Sequence, residues 1–246
     1  MLIILSPAKN MNIKSFEGFN FEKPVFYEET NKIHSHLNNL ELQDIEVIMK
    51  VNKDIAFKTI CNIKDFEIDK MEGHALKCYD GLVFKNIGVE DFNSDDIIFA
   101  NNHLRILSGL YGVLKPLTHI QPYRLEMGCK IQIDNNKSLY KFWKDKIYNE
   151  IIGLNKPIIN LASKEYSKTI TPYLKSSDSF INIDFIMLKN GKYKSVATSA
   201  KMARGQMARY IIKNKITDIE ALKDFYFDIY QYNEYLSNET NLVFTN

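Results

Sequence analysis

LIILSPAK, residues 2–9, sets the terms on which the rest of the chain is read. Leu2 to Leu5 are four large apolar residues in a row, too short a run for a helix and suited to a short buried strand. Ser6-Pro7 ends it, because proline punctuates regular structure. The same grammar returns at PIINLASKEY, residues 157–166: a buried strand over 157–161, a polar exit, and a short helix begun by Ser163. Two buried strands that each run into a small polar loop belong to an α/β sheet, and loops at strand ends are where such sheets build sites.

Outward from these strands, apolar periodicity predicts helices over 25–37, 42–51 and 55–66. A further helix is expected over 94–107, capped by Ser94, with Asp95 and Asp96 in its first turn. Another spans 138–152 and stops at Gly153. Residues 179–199 read as one hairpin turned at Lys189-Asn190-Gly191, since Asn-Gly is the strongest short hairpin signal. Helices follow over 200–214 and 218–224, then aromatic-rich extended chain over 225–245. No repeat or Pro/Gly/Ser linker divides the chain. The expectation is one mixed α/β (α+β) domain over 1–246, without the regular βαβ alternation of a Rossmann or TIM pattern.

Composition narrows the class. The 246 residues are 45% hydrophobic and 25% charged, which excludes a disordered chain. No apolar run approaches the roughly 18–20 residues of a membrane span, and the N-terminus lacks the basic and long apolar regions of a signal peptide. A cytoplasmic protein without a membrane partner is expected. Cys61, Cys78 and Cys129 lie far apart, odd in number, and the five histidines are scattered; neither a disulfide framework, a metal site nor a cofactor is expected.

Net charge is only +2, but it is unevenly laid down. From Phe185 to Thr217 there are eight bases and no acid; from Asp218 to Asn246 there are six acids and one base, Lys223. Residues 1–16 and 97–125 also lack acids. Either basic and acidic faces neutralise each other across the fold, or a basic cleft gathers polyanions. Arginine is rare, four residues against 28 lysines, so Arg105, Arg124, Arg204 and Arg209 each call for a separate reason. On the 200–214 helix, Ala203, Met207, Tyr210 and Ile211 form a core face. Lys201, Arg204, Gly205 and Ala208 fall opposite, a flat basic surface that a phosphate can approach.

Four segments exceed what packing needs: Ser6-Pro7-Ala8-Lys9; LSGLYGVLKPLTHIQPYRLEMG over 107–128; Asn160-Leu161-Ala162-Ser163-Lys164-Glu165-Tyr166; and Lys201-Met202-Ala203-Arg204-Gly205. The glycines of SGLYG permit close backbone approach. They suit either a glycine hairpin presenting amides to a phosphate or a Gly-rich helix C-cap. In Tyr123-Arg124-Leu125-Glu126 an extended backbone puts Arg124 and Glu126 on one face. That is either a structural ion pair or an arginine fork aimed at phosphate. Ser163 is a plain N-cap or an anion-receiving one. Tyr79, Tyr111, Tyr123, Trp143 and Tyr166 read as core, with one or two free to stack on unpaired bases.

Together these segments resemble the peroxide stress protein YaaA family over essentially the whole chain, the LSGLYG and QPYRLEMG strings being long and nearly complete. The resemblance implies a single family-specific domain with a positively charged cleft and a helix-hairpin-helix element. It also implies binding of duplex and branched DNA without sequence preference, in DNA protection or repair after peroxide stress. The family pattern carries an Asp where this chain has Asn12, a Gly-Asp where it has Lys77-Cys78, and a Phe where it has Ser167.

The expected DNA contacts are Lys9, Arg105, Gly109, Gly112, Lys115, Arg124, Ser163, Lys164, Lys168, Lys201, Arg204 and Arg209, with cooperative self-association on DNA one expected mode. The competing class is an enzyme acting on a nucleotide or nucleic acid, with Lys9, Arg124, Glu126, Ser163, Glu165, Lys201 and Arg204 as candidates. A channel as wide as a duplex favours the first; a narrow pocket with Glu126 or Glu165 beside Lys9 or Lys201 favours the second.

Overall fold

A computed structural model describes all residues, 1–246. Its strands are β1 Leu2–Leu5, β2 Gly73–His74, β3 Leu104–Ser108, β4 Gly112–Leu114, β5 His119–Ile120, β6 Ile158–Asn160, β7 Phe180–Phe185, β8 Met187–Lys189, β9 Lys192–Lys194, β10 Tyr226–Phe227, β11 Tyr230–Tyr232 and β12 Asn241–Thr245. Its helices are α1 Tyr27–Leu37, α2 Leu42–Met49, α3 Lys53–Lys64, α4 Ala75–Cys78, α5 Leu82–Ile87, α6 Ser94–His103, α7 Leu139–Trp143, α8 Lys146–Ile152, α9 Lys164–Ser167 and α10 Ala197–Lys213. No helix is long and apolar enough to cross a membrane.

Eight strands form one sheet in the order β10-β11-β12-β7-β6-β1-β3-β4. Its five central strands are parallel, and both edges are antiparallel. Counted along the chain, the parallel strands β1, β3, β6, β7 and β12 lie in the order 2-1-3-4-5, one of the two common orders of open doubly wound sheets. The sequence does not announce it because its crossovers are so unequal. Residues 6–103 separate β1 from β3, whereas β3 and β6 or β6 and β7 are joined by much shorter connections. The all-apolar reading of β1 holds: Leu2, Ile3, Ile4 and Leu5 are fully buried, as strands covered on both faces must be.

Several expected elements differ. The helix over 94–107 ends at His103, and residues 104–108 form the fully buried β3. A five-residue segment with three apolar residues, Leu104, Ile106 and Leu107, fits either state, and pairing with β1 decides it. Its cap is Asn93 rather than Ser94: the Asn93 side chain accepts from Asp96 N, and Asp96 accepts from Asn93 N in return. SGLYG is therefore no helix-hairpin-helix. It is the turn between the antiparallel β3 and β4. Ser108 Oγ accepts from the amides of Leu110 and Tyr111, and Trp143 Nε1 donates to the Gly109 carbonyl at 3.1 Å. Gly112, at φ +70°, lies under the Trp143 ring. Both glycines serve the interior.

The 138–152 helix breaks at Lys144, which takes positive φ between α7 and α8. The Asn190-Gly191 turn is present, with both residues at positive φ, but it joins only β8 to β9. Residues 180–185 instead lie between β6 and β12 in the main sheet, and 197–199 already belong to α10. Residues 220–224 make a 3-10 turn.

The core face of α10 is as expected: Ala203, Met207 and Ile211 are fully buried, and Tyr210 packs against Phe225. The opposite face is not a flat basic surface. Gly205 and Ala208 are buried too, and a Cβ added at Gly205 would meet Asn86 Cβ at 2.7 Å and the Val83 carbonyl more closely still. Gly205 makes room for α5, not for a phosphate.

Candidate functional site

Ile4 of β1 pairs with Asn160 of β6, so the carboxyl ends of these strands lie side by side, and a cavity of about 300 Å³ opens just beyond them. In a parallel sheet of this order the crevice forms where successive connections leave neighbouring strands in opposite directions, here between β1 and β6. The walls come from residues 6–10 after β1, residues 80–84 at the start of α5, residues 123–126, Leu161, Ser163, Glu165 and Tyr166 after β6, and Lys201 and Arg204 on α10.

Short hydrogen bonds knit these segments together. Ser6 Oγ accepts from Ser163 N at 2.8 Å and donates to Ser163 Oγ at 3.1 Å, tying the two strand ends. Ser163 keeps its own hydroxyl proton for another partner. The buried Asn160 side chain accepts from Ala162 N and donates to Asn182 at 2.8 Å, which turns the chain into the site. Glu165 Oε1 accepts from Gly128 N, and the Glu165 carbonyl accepts from Tyr140, both at 2.8 Å. Tyr123 shares 2.7 Å hydrogen bonds with Tyr79 and with Ser108. Burial pushes the Tyr123 phenol up to about 12 and that of Tyr79 well above its ordinary value, so both stay neutral.

Four cations and three carboxylates line the cavity, so it is only mildly basic. Lys9 Nζ lies 2.7 Å from Glu126 Oε2, while Arg124 Nη2 is 3.9 Å from Glu126 Oε1, beyond hydrogen-bond length. Arg204 has no hydrogen-bond partner. Burial lowers its pKa, and the charge of Asp184 opposes the shift. The Nε atoms of both arginines are buried with no acceptor. Buried donors of this kind are rarely left unmet. A guanidinium fork with free donors fits a planar or tetrahedral oxyanion. No three His, Cys, Asp or Glu side chains stand close enough together to hold a metal ion.

Of the expected contact residues, Lys9, Arg124, Ser163, Lys201 and Arg204 meet in this cavity, and Lys164 and Lys168 are exposed on α9 at the same sheet edge. The other five work elsewhere. Gly109 and Gly112 turn the β3–β4 hairpin. Arg105 is buried and donates to the Asn101 and Leu104 carbonyls. Lys115 pairs with Glu22 at 3.0 Å. Arg209 donates to Asp91 at 2.9 Å and to the Ile87 and Gly88 carbonyls. Glu126 and Glu165, the carboxylates of the competing class, do reach the cavity, and Glu126 stands beside Lys9 in a small pocket rather than a duplex-wide channel, the arrangement that favours an enzyme acting on a nucleotide or nucleic acid. Asn12 and Cys78, two of the departures from the family pattern, meet beside it. Asn12 N donates to the Cys78 carbonyl at 2.8 Å and its side chain donates to Asp80 at 3.0 Å.

The wall that sequence reading missed is residues 80–84. Leu82, Val83 and Phe84 carry no polar chemistry to betray them. The available cue is Asp80-Gly81 ahead of an apolar run: a Cβ at Gly81 would lie 2.8 Å from that of Ala8, so only glycine lets the start of α5 close on the SPAK loop.

A family model described as peroxide stress protein YaaA matches residues 1–236. A UPF0246 protein of Clostridioides difficile (strain 630) is 42% identical over 245 residues, 99% of each chain. A UPF0246 protein of Ligilactobacillus salivarius (strain UCC118) is 40% identical, again over 99% of each chain. One of Francisella philomiragia is 39% identical over the full length of both.

Proposed function

The chain belongs to the peroxide stress protein YaaA family, and from that premise we propose that it serves the peroxide stress response by holding DNA through its phosphates, along the carboxyl edge of the parallel sheet. The observation that carries this reading is a set of unpaired cations on that edge. Lys164, Lys168 and Lys201 are exposed and pair with no carboxylate, and the Arg204 fork is empty. Phosphate contacts of this kind position a duplex without reading its sequence. The exposed β8–β9 hairpin, with Lys189, Lys192 and Lys194, leads directly into α10 and extends the basic tract. A cavity of about 300 Å³ has room for a small molecule but not for a duplex, which would lie across its rim.

The test is the salt dependence of DNA affinity, read by fluorescence anisotropy on unrelated duplex and branched sequences. Log K falls by about 0.9 per phosphate neutralised for each decade of salt, so four to six contacts give a slope of roughly −4 to −5. Micromolar or tighter binding is expected with little sequence preference. The Lys164→Ala/Lys168→Ala double variant should flatten the slope by about 2. Lys223→Ala, whose lysine already pairs with Glu220 at 2.6 Å, should leave it unchanged. No binding at about 50 mM salt, or an affinity indifferent to salt, overturns the reading.

A further inference from the structure

The cavity is built for more than the edge of a duplex. Its volume of about 300 Å³ stands at the small end of the range for small-molecule sites, about 300–1,000 Å³. The two ends of its chemistry differ. Arg124 and Arg204 bring guanidinium donors whose buried Nε atoms have no acceptor. A phosphate in the pocket gives acceptors to their terminal Nη donors: Arg204 makes no hydrogen bond, and Arg124 Nη2 stands 3.9 Å from Glu126 Oε1. Against them stand Leu82, Phe84 and Tyr123, an apolar wall that a bare phosphate would leave in contact with water. Tyr123 is held by Tyr79 and Ser108 through its hydroxyl, so its ring keeps one orientation, a preorganised surface for a flat group. Ser163 has a hydroxyl proton to give, and Glu126, paired with Lys9 through Oε2 alone, offers its Oε1 as an acceptor to an amino or hydroxyl group.

We propose that this pocket binds one nucleoside monophosphate unit, its phosphate on Arg124 and Arg204 and its base against Leu82, Phe84 and Tyr123. The unit has two sources: a free mononucleotide, or a nucleotide of a DNA strand that is unpaired and turned out of the stack into the pocket. The inference does not rest on the rim binding a duplex, and the two fail separately.

The experiment uses the full chain. Calorimetric titration compares dAMP and dTMP with inorganic phosphate. Anisotropy compares a fully paired duplex with the same duplex carrying one unpaired nucleotide. A free mononucleotide as ligand predicts that dAMP or dTMP binds at least ten-fold more tightly than inorganic phosphate, the two duplexes binding alike. A strand nucleotide as ligand predicts that the unpaired duplex binds at least ten-fold more tightly than the paired one and that a mononucleotide competes for the difference. In either case Arg204→Gln loses at least ten-fold of that advantage and Lys223→Ala loses none. Should Arg204→Gln fail to fold, shown by its melting curve, Arg124→Gln and the wild-type ligand comparison decide. If mononucleotides bind no better than inorganic phosphate and the unpaired nucleotide adds nothing, the proposal is overturned. Tight mononucleotide binding with no DNA binding overturns the duplex reading and leaves this one standing.

Discussion

The four arginines show how far single residues can be read. Their scarcity among 28 lysines marks all four for attention. Sorting them requires knowing which partners come close in space, and those lie far off in sequence: Asp91 is 118 residues from Arg209. Arg105 and Arg209 turn inward to carbonyls and a carboxylate, while Arg124 and Arg204 keep open donors. Opposite phenotypes follow. Arg209→Ala should cost on the order of 1–3 kcal/mol of stability by stripping charge-assisted bonds, with DNA affinity intact. Arg204→Ala should weaken binding to all DNA sequences about equally, by a similar amount, with little change in melting temperature. Thermal melts and anisotropy on both variants check the pair. The cysteines make a second residue-level case. Burial pushes the Cys78 thiol up to about 11 and raises that of Cys129, away from the thiolate that attacks peroxide. Cys78 Sγ also donates to the Lys14 carbonyl at 3.3 Å, a bond a serine hydroxyl keeps. Replacing all three cysteines with serine should leave DNA affinity the same before and after peroxide treatment. A loss confined to oxidised wild-type protein would show a thiol switch.

Helix α10 carries the lesson at the scale of elements. Periodicity finds its buried face, because apolar residues at helical spacing have one common cause. Small residues have two: they admit a ligand or they admit another helix, and spacing does not separate these. Here Gly205 admits α5, whose first turn is a wall of the cavity. The helix thus aims Lys201 and Arg204 at the site and also sets the site's width. Gly205→Ala should force α5 away, costing about 1–3 kcal/mol as overpacking does. For a chain of this size that lowers the melting temperature by roughly 2–4 °C per kcal/mol. Because the wall moves with α5, affinity for a pocket ligand should fall in the same variant. An unchanged melting temperature would mean that the two helices separate freely. The same limit explains residues 104–108, where a helix is expected to continue: Leu-Arg-Ile-Leu-Ser, with three apolar residues in five, names no state until β1 lies beside it.

At the scale of the whole molecule, the motifs SPAK, PYRLE, ASKEY and KMARG, legible as chemistry from the start, converge because the 2-1-3-4-5 order brings β1 against β6 and folds α10 back over their ends. That order was not legible, since uneven crossovers hide it, and so neither was a pocket in place of an open channel. The fold sets a working range of pH as well. Burial lowers the pKa values of His74, His103 and His119 below the ordinary imidazole value. Burial would raise that of Asp96, but hydrogen bonds from Lys215 and Lys213 outweigh it and lower the carboxyl's pKa. In every one of these groups the native state holds fewer protons than the unfolded chain, so stability is lost as pH falls. The histidines act first, below about 6.5, and Asp96 follows below about 4. The buried phenols work in the other direction. Burial raises the pKa values of Tyr79, Tyr111, Tyr123 and Tyr166, so the native state keeps protons that the unfolded chain releases above about 10. Melting temperature should therefore form a plateau from about 7 to 8.5, falling in two steps on the acid side and, on the alkaline side, first as unfolded thiols ionise against the raised Cys78 and Cys129 and then as the phenols do. Asp96→Asn should lower the plateau and shrink the second acid step, which Glu22, Glu29, Asp69, Asp91 and Asp178, lowered in the same direction, also feed. Melting curves from about pH 2 to 11 test this, and a protein that gains stability between pH 7 and 5 would refute it.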